Sequence, residues 1–178
     1  MKLLILIPAY NEEKTLAKVI KTLPKKINGI TQKEVVVVND GSNDQTAQVA
    51  QKSGVTVISH YLNRGLGGAL GTGFEYARKN NFDILITFDA DGQHDPQDIE
   101  PVLKPIIHQK ADISIGSRLK NPKGMPWYRI VGIWGLNLFT FMFFWVWTTD
   151  SQSGLRKLRT AIQKAQTTES TMAALLTI

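Results

Sequence analysis

The sequence predicts an α/β fold with a mostly parallel sheet covered by helices on both faces. Short apolar, β-prone runs alternate with segments of helical periodicity, as βαβ units require. The runs Lys2–Pro8 and Ile84–Phe88 are apolar enough for strands buried in such a sheet. Polar groups then gather just after the runs, at Asn11, Asp40, Asp89 and Asp91.

The first strand is Lys2–Pro8. Its apolar stretch is short, and Pro8-Ala9-Tyr10-Asn11-Glu12 stands where a leader would carry a small-residue cleavage site, so a buried strand is expected. Glu12–Leu23 follows as a helix, with apolar positions at Leu16, Val19, Ile20 and Leu23 and Asn11 as its N-cap. Glu34–Val38 is the second strand; Asp40-Gly41-Ser42 turns the chain into a short helix near Asp44–Lys52. Val55–Ser59 is the third strand, Leu66–Asn80 a helix and Ile84–Phe88 the fourth strand. Pro96 suits the first position of a helix reaching about Gln109, and Asp112–Gly116 supplies a fifth strand. There is no internal repeat and no low-complexity linker.

A chain of 178 residues suits one domain with a full core. Without cysteine, disulfides and thiolate metal sites are excluded, which fits a reducing compartment. Residues 1–109 carry 12 Lys/Arg and 12 Asp/Glu, whereas residues 110–178 carry 9 and 3, so the whole excess of +6 lies in the C-terminal part. Such a charge invites anionic lipid or phosphorylated substrates; nucleic acid is not expected as a partner, because no recognised binding motif accompanies it. The same part holds Ile130–Trp147, an 18-residue run without one charged side chain. With Lys123 and Arg129 before it and Arg156, Lys157 and Arg159 after it, the run is expected to form a helix in or dipping into a membrane interface, a buried core helix being the alternative.

Asp89-Ala90-Asp91 carries the clearest chemistry. Two carboxylates released at a strand end suit a hard divalent cation that shares its shell with substrate phosphates, and a solvated acidic turn is the plain alternative. Pro8-to-Glu12, Asn39-to-Ser42 and Asp89-to-Asp91 converge on one sheet edge, where α/β folds form their ligand crevice. Taken singly, Asn11 and Asp40 suit local caps and turns. His94 is placed to support the acidic motif; His60 and His108 read as structural or exposed. Gly65-Leu66-Gly67-Gly68-Ala69-Leu70-Gly71-Thr72-Gly73 lacks both the P-loop lysine and the dinucleotide pattern, so close packing of a helix start against the ligand crevice is expected of it, direct phosphate contact being the alternative.

Ile7-Pro8-Ala9-Tyr10-Asn11-Glu12, Val38-Asn39-Asp40-Gly41-Ser42, Asn63-Arg64-Gly65, Asp89-Ala90-Asp91-Gly92-Gln93-His94, Gly116-Ser117-Arg118 and Asp150-Ser151-Gln152-Ser153-Gly154 together resemble glycosyltransferase family 2, most closely its dolichol-phosphate mannose synthase branch. The resemblance implies a GT-A (Rossmann-like) fold, a nucleotide-sugar donor, Mg²⁺ or Mn²⁺, and inverting transfer to a polyprenyl phosphate at the cytoplasmic face of the membrane. Carried onto this chain, it sets Pro8, Tyr10, Glu12, Val38 and Asp40 around base and ribose, with Ala9 and Ala90 in the same nucleotide-sugar-binding set. Asp89 faces ribose or sugar, Asp91 and Gln93 hold the metal against the diphosphate, and Arg118 and Arg129 grip phosphate; Asp89, Asp91 and Arg118 form the catalytic set. It further divides the chain into a catalytic core over residues 1–125 and a membrane-proximal segment with an atypical tail over 126–178. After Gly154 the pattern is not continued, as expected of a shortened chain. An inactive nucleotide-sugar-binding remnant and a membrane-surface interaction protein are the alternative functions.

Overall fold

The computed structural model describes residues 1–115 and 156–159. Its strands are β1 (Lys2–Ala9), β2 (Gln32–Asn39), β3 (Thr56–Ser59), β4 (Ile84–Thr87), β5 (Ile113–Ile115) and β6 (Arg156–Arg159). Helices α1 (Leu16–Thr22), α2 (Thr46–Lys52), α3 (Gly65–Lys79) and α4 (Ile99–Ile107) connect the first five strands in turn. The sheet order is β3-β2-β1-β4-β6-β5. β1 pairs parallel with β2 and β4, and β2 with β3, whereas β6 runs antiparallel to both its neighbours.

The strand order reverses at β1. The chain first builds outward through β2 and β3, then returns to lay β4 against the free side of β1, and a crevice opens at the C-terminal ends of strands flanking such a switch.

β1 anchors both layers of the core. Leu3 to Ile7 are all buried, and the two-residue period of a strand sends them alternately to opposite faces. Leu3, Ile5, Ile7 and Ala9 pack with Leu16 and Val19 of α1, Ala50 of α2, and Ile99 and Leu103 of α4. Leu4 and Leu6 pack on the other face with Val36, Val38, Ala69 and Ala77, beneath α3. Full burial of each Leu or Ile contributes about 1.5–3 kcal/mol. α3 rests directly on β1 at Gly73, where a Cβ atom would stand 2.2 Å from Leu6 Cδ2. The close approach in the glycine run is thus between the body of α3 and the core strand β1, not between the start of the helix and the ligand edge.

Several elements differ from expectation. α1 begins at Leu16, not Glu12, and Asn11 is not its N-cap. Asn11 takes a left-handed φ of 56°, outside the extended region an N-cap occupies. Its polar groups bond to the turn after β2: its N–H donates to Ser42 Oγ at 3.0 Å and its Oδ1 accepts from Asn43 N–H at 2.9 Å. Pro96 opens a 3₁₀ turn over Pro96–Asp98, capped by Asp95 Oδ1 accepting from Gln97 N–H at 2.9 Å, and α4 starts only at Ile99. Arg156–Arg159, expected as a basic flank, is instead strand β6, paired between β4 and β5. The apolar run over 130–147 lies outside the described residues; among the described residues no helix is long and apolar enough to cross a membrane.

Candidate active site

Four strand ends share one edge of the sheet. Ala9 pairs with Asn39 and Asn39 with Ser59, so Tyr10, Asp40 and His60 follow in line; Asp89 lies two residues beyond the last pair of β4 with β1. Backbone bonds continue the ladder: Asp40 N–H donates to Ala9 O, His60 N–H to Asn39 O and Phe88 N–H to Leu6 O, each at 2.9 Å.

The turn after β1 is stitched to the turn after β2. Besides the two Asn11 bonds, Glu12 N–H donates to Thr46 Oγ1 at 2.8 Å, Glu13 N–H to Asp44 Oδ2 at 3.2 Å, and Gln45 N–H to Glu13 Oε2 at 3.0 Å. Glu12 turns its carboxylate to the Thr15 hydroxyl, 2.6 Å away, which braces the approach to α1. Burial pushes the Asp44 carboxyl up, but the hydroxyl and N–H of Thr46 and the N–H of Glu13 outweigh it and hold the group below the usual carboxylate range.

Asp40 is buried at 4% exposure. Its Oδ1 accepts from the His60 ring at 2.6 Å and from Arg64 N–H at 2.9 Å, and the far side of the ring, Nε2, contacts Thr72 Oγ1 at 2.8 Å. Burial works against the charged form of Asp40, yet the Arg64 N–H, the His60 ring and the Gly65 N–H together hold its carboxyl below the usual range. Asp40 thus ties the ends of β2 and β3 to the start of α3.

The acidic motif is organised differently. Asp91 is exposed, and its Oδ1 accepts from Gln93 N–H at 2.9 Å across a turn in which Gly92 takes a φ of 75°. Asp89 Oδ2 lies 2.7 Å from His94 Nε2; the His94 side chain is 3% exposed and that of Asp89 33%. The His94 ring also packs against Phe88, with centroids 5.6 Å apart. Among the described residues no cluster of three His, Cys, Asp or Glu forms a complete metal cage.

Of the residues expected at the site, Tyr10, Asp40, Asp89, Asp91 and Gln93 reach the edge or its turns, and Glu12 and Pro8 adjoin it. Val38, Ala9 and Ala90 carry core side chains: Val38 is fully buried beneath α3, and Ala9 and Ala90 belong to the opposite core, so their methyl groups serve packing. Arg118 and Arg129 lie outside the described residues. The Asp40–His60 pair is the principal feature that residue spacing missed, since its partners stand 20 positions apart. A cavity of about 520 Å³ near Lys25, Lys33 and Glu100 sits at the opposite, N-terminal end of β2, so concavity alone does not mark this edge.

A mixed α/β sheet, parallel through β3-β2-β1-β4, with an Asp-x-Asp motif at its switch-point edge places the protein in the GT-A-like class. The solved structure of glucosyl-3-phosphoglycerate synthase from Mycobacterium tuberculosis, in complex with Mn²⁺, UDP-glucose and phosphoglyceric acid, shares this fold at a TM-score of 0.66 and 21% identity, over 89% of this chain and 56% of that one. The model of "Glycosyl transferase family 2" matches residues 4–165, and the chain belongs to that family. UDP-N-acetylglucosamine–dolichyl-phosphate N-acetylglucosaminyltransferase from Methanococcus voltae is 39% identical over 172 residues, 85% of this chain and 67% of the relative. Undecaprenyl-phosphate mannosyltransferase from Micrococcus luteus is 32% identical over 168 residues, 89% of this chain and 67% of the relative. These relatives place the chain beside the dolichol-phosphate mannose synthase-like branch. The chain spans 63 to 67% of the length of the first curated relatives it matches.

Proposed function

We propose that the protein is an inverting glycosyltransferase that moves a sugar from a UDP- or GDP-linked donor to a polyprenyl phosphate at the cytoplasmic face of the membrane. The observation that carries this reading is the Asp89-Ala90-Asp91 motif at the switch-point edge, with Asp89 held from behind by buried His94. The relatives named for transfer to dolichyl and undecaprenyl phosphate support the choice of acceptor.

The donor set suits Mg²⁺ or Mn²⁺. Asp91 commits one oxygen to Gln93 N–H, and its other carboxylate oxygen would be available to a cation shared with the donor diphosphate, while Asp89 is oriented by His94. When bound, that cation neutralises charge on the departing nucleoside diphosphate. Asp91 and Gln93 hold it, and Asp89 faces the ribose or sugar. Tyr10 and Asp40 border the base and ribose, with Pro8 and Glu12 shaping the turn behind them. Arg118 and Arg129 grip phosphate, since a guanidinium fork matches its oxygens.

The acceptor is already an anion, so its oxygen attacks the anomeric carbon without a base removing a proton. What the chain supplies is positioning and charge stabilisation. The apolar run 130–147, ahead of strand β6, presents the site to the lipid. Calorimetric titration with UDP and GDP, with and without Mn²⁺, followed by transfer of labelled sugar to a polyprenyl phosphate, tests the reading. Failure of both nucleotides to bind in Mn²⁺ overturns it.

A further inference from the structure

We infer that His60 is a positioning residue for the nucleoside side of the site, acting through Asp40 to lock the Asn63–Gly65 turn at its rim. The inference rests on the reading of the Asp40 edge as the nucleoside subsite.

The geometry begins with Asp40. Its Oδ1 takes both the His60 ring nitrogen Nδ1, at 2.6 Å, and the Arg64 N–H, at 2.9 Å. An ionised carboxylate only accepts, so Nδ1 must carry the proton and donate, whatever the charge of the ring. The opposite nitrogen, Nε2, meets Thr72 Oγ1 at 2.8 Å, and that hydroxyl also stands 3.1 Å from Gly68 O within α3. His60 therefore spans the end of β2 and the body of α3 through one ring that is 7% exposed.

The backbone around it leaves little slack. Gly41 has a φ of 70°, and a Cβ there would stand 2.5 Å from Asn63 N, so the turn after β2 lies directly on the turn before α3. Asn63 Oδ1 in addition accepts from Gly65 N–H at 2.8 Å. With Asp40 on Arg64 N–H and Asn63 on Gly65 N–H, the N–H groups that lead into α3 are held by side chains, and His60 holds the first of these, Asp40, directly. Loss of the Nδ1 donor frees Asp40 to rotate and releases the turn, while the Asp89–Asp91 segment keeps its own bonds to His94 and Gln93.

Two substitutions separate the ring's two contacts. His60→Asn keeps an N–H donor near the Nδ1 position; His60→Gln places its donor near Nε2 and loses the one that Asp40 uses. Calorimetry of the full chain with UDP and GDP in Mn²⁺ should show His60→Asn within about threefold of wild type and His60→Gln weakened about tenfold or more, the scale of one charge-assisted hydrogen bond. Binding of inorganic pyrophosphate with Mn²⁺ should be equal in all three proteins, which general loosening of the fold would not spare. In the wild type itself, long-range ¹H–¹⁵N spectra should show the His60 ring protonated at Nδ1 and shifted on addition of nucleotide, a measurement that stands even where a variant does not fold. A ring protonated only at Nε2, or His60→Gln binding like wild type, or His60→Asn and His60→Gln weakened alike, overturns the inference and leaves the transferase reading intact. Wild type that binds neither nucleotide overturns both.

Discussion

His94 Nε2 lies 2.7 Å from Asp89 Oδ2, and the ring behind that contact is almost wholly buried against Phe88. A carboxylate at the switch-point edge of the sheet is thereby oriented from the protein interior. Groups that orient ligand-binding carboxylates matter nearly as much as the carboxylates themselves.

Replacing His94 should accordingly cost affinity without abolishing the fold. His94→Phe, which keeps the packing on Phe88 and removes the polar contact, is expected to weaken Mn²⁺-dependent binding of UDP or GDP by about 10–100-fold. His94→Gln should recover part of it. Calorimetry of both variants decides the matter; equal binding by His94→Phe and wild type would sink the role.

Asp91 is the exposed member of the pair, and its substitution should be read in metal dependence. Asp91→Asn is expected to reduce Mn²⁺-dependent nucleotide binding more than about tenfold, because the loss of a negative ligand weakens a hard cation most. The far-ultraviolet circular dichroism should not change. Unaltered affinity in Mn²⁺ would be incompatible with Asp91 as a metal ligand.

At Gly73 the prediction concerns stability alone. An Ala there would push its methyl group into Leu6, and overpacking of a filled core costs about 1–3 kcal/mol. Urea denaturation should report that loss, and the double variant Gly73→Ala, Leu6→Val should cost less than the two single changes summed.

Acid should loosen the stitched turns first. Asp40 and Asp44 both have folded carboxyls below their ordinary value of 3.8. Their contribution to stability is therefore complete above pH 3.8 and disappears as pH falls from there through the folded values. Asp44→Asn should lose more stability near pH 6 than near pH 3 when denaturation midpoints are compared; an equal loss at both would refute the assignment.

The parallel part of the fold was legible because burial on both faces writes itself as short apolar runs. Leu3 to Ile7 and Ile84 to Phe88 show it plainly, and their observed boundaries differ by only a residue or so. Arg156-Lys157-Leu158-Arg159 could not be read this way, since its composition is basic and its place in the sheet comes from pairing with β4 and β5. The start of α1 is hidden for a related reason: Asn11 suits a cap locally, but its bonds go to Ser42 and Asn43. At the site, Asp89 and Asp91 stood out by chemistry and spacing. The hold of His60 on Asp40 is a long-range contact with no signature in either segment.

The position of β6 has a consequence for how the molecule is made. β4 and β5 flank a strand that leaves the ribosome some forty residues after β5, counted from Ile115 to Arg156, so β6 is not available to pair with the side of β4 away from β1 during that interval. During that time Ile84, Leu85 and Ile86 lack their β6 partners, and an unpaired apolar edge is the kind of surface that recruits other nascent chains. Closure of the sheet on this side by β6 must await the arrival of those four residues. Protease digestion of nascent chains stalled with residue 155 or residue 159 outside the exit tunnel should register it as abrupt protection of β4, and identical digestion of the two would argue that β4 is shielded by other means.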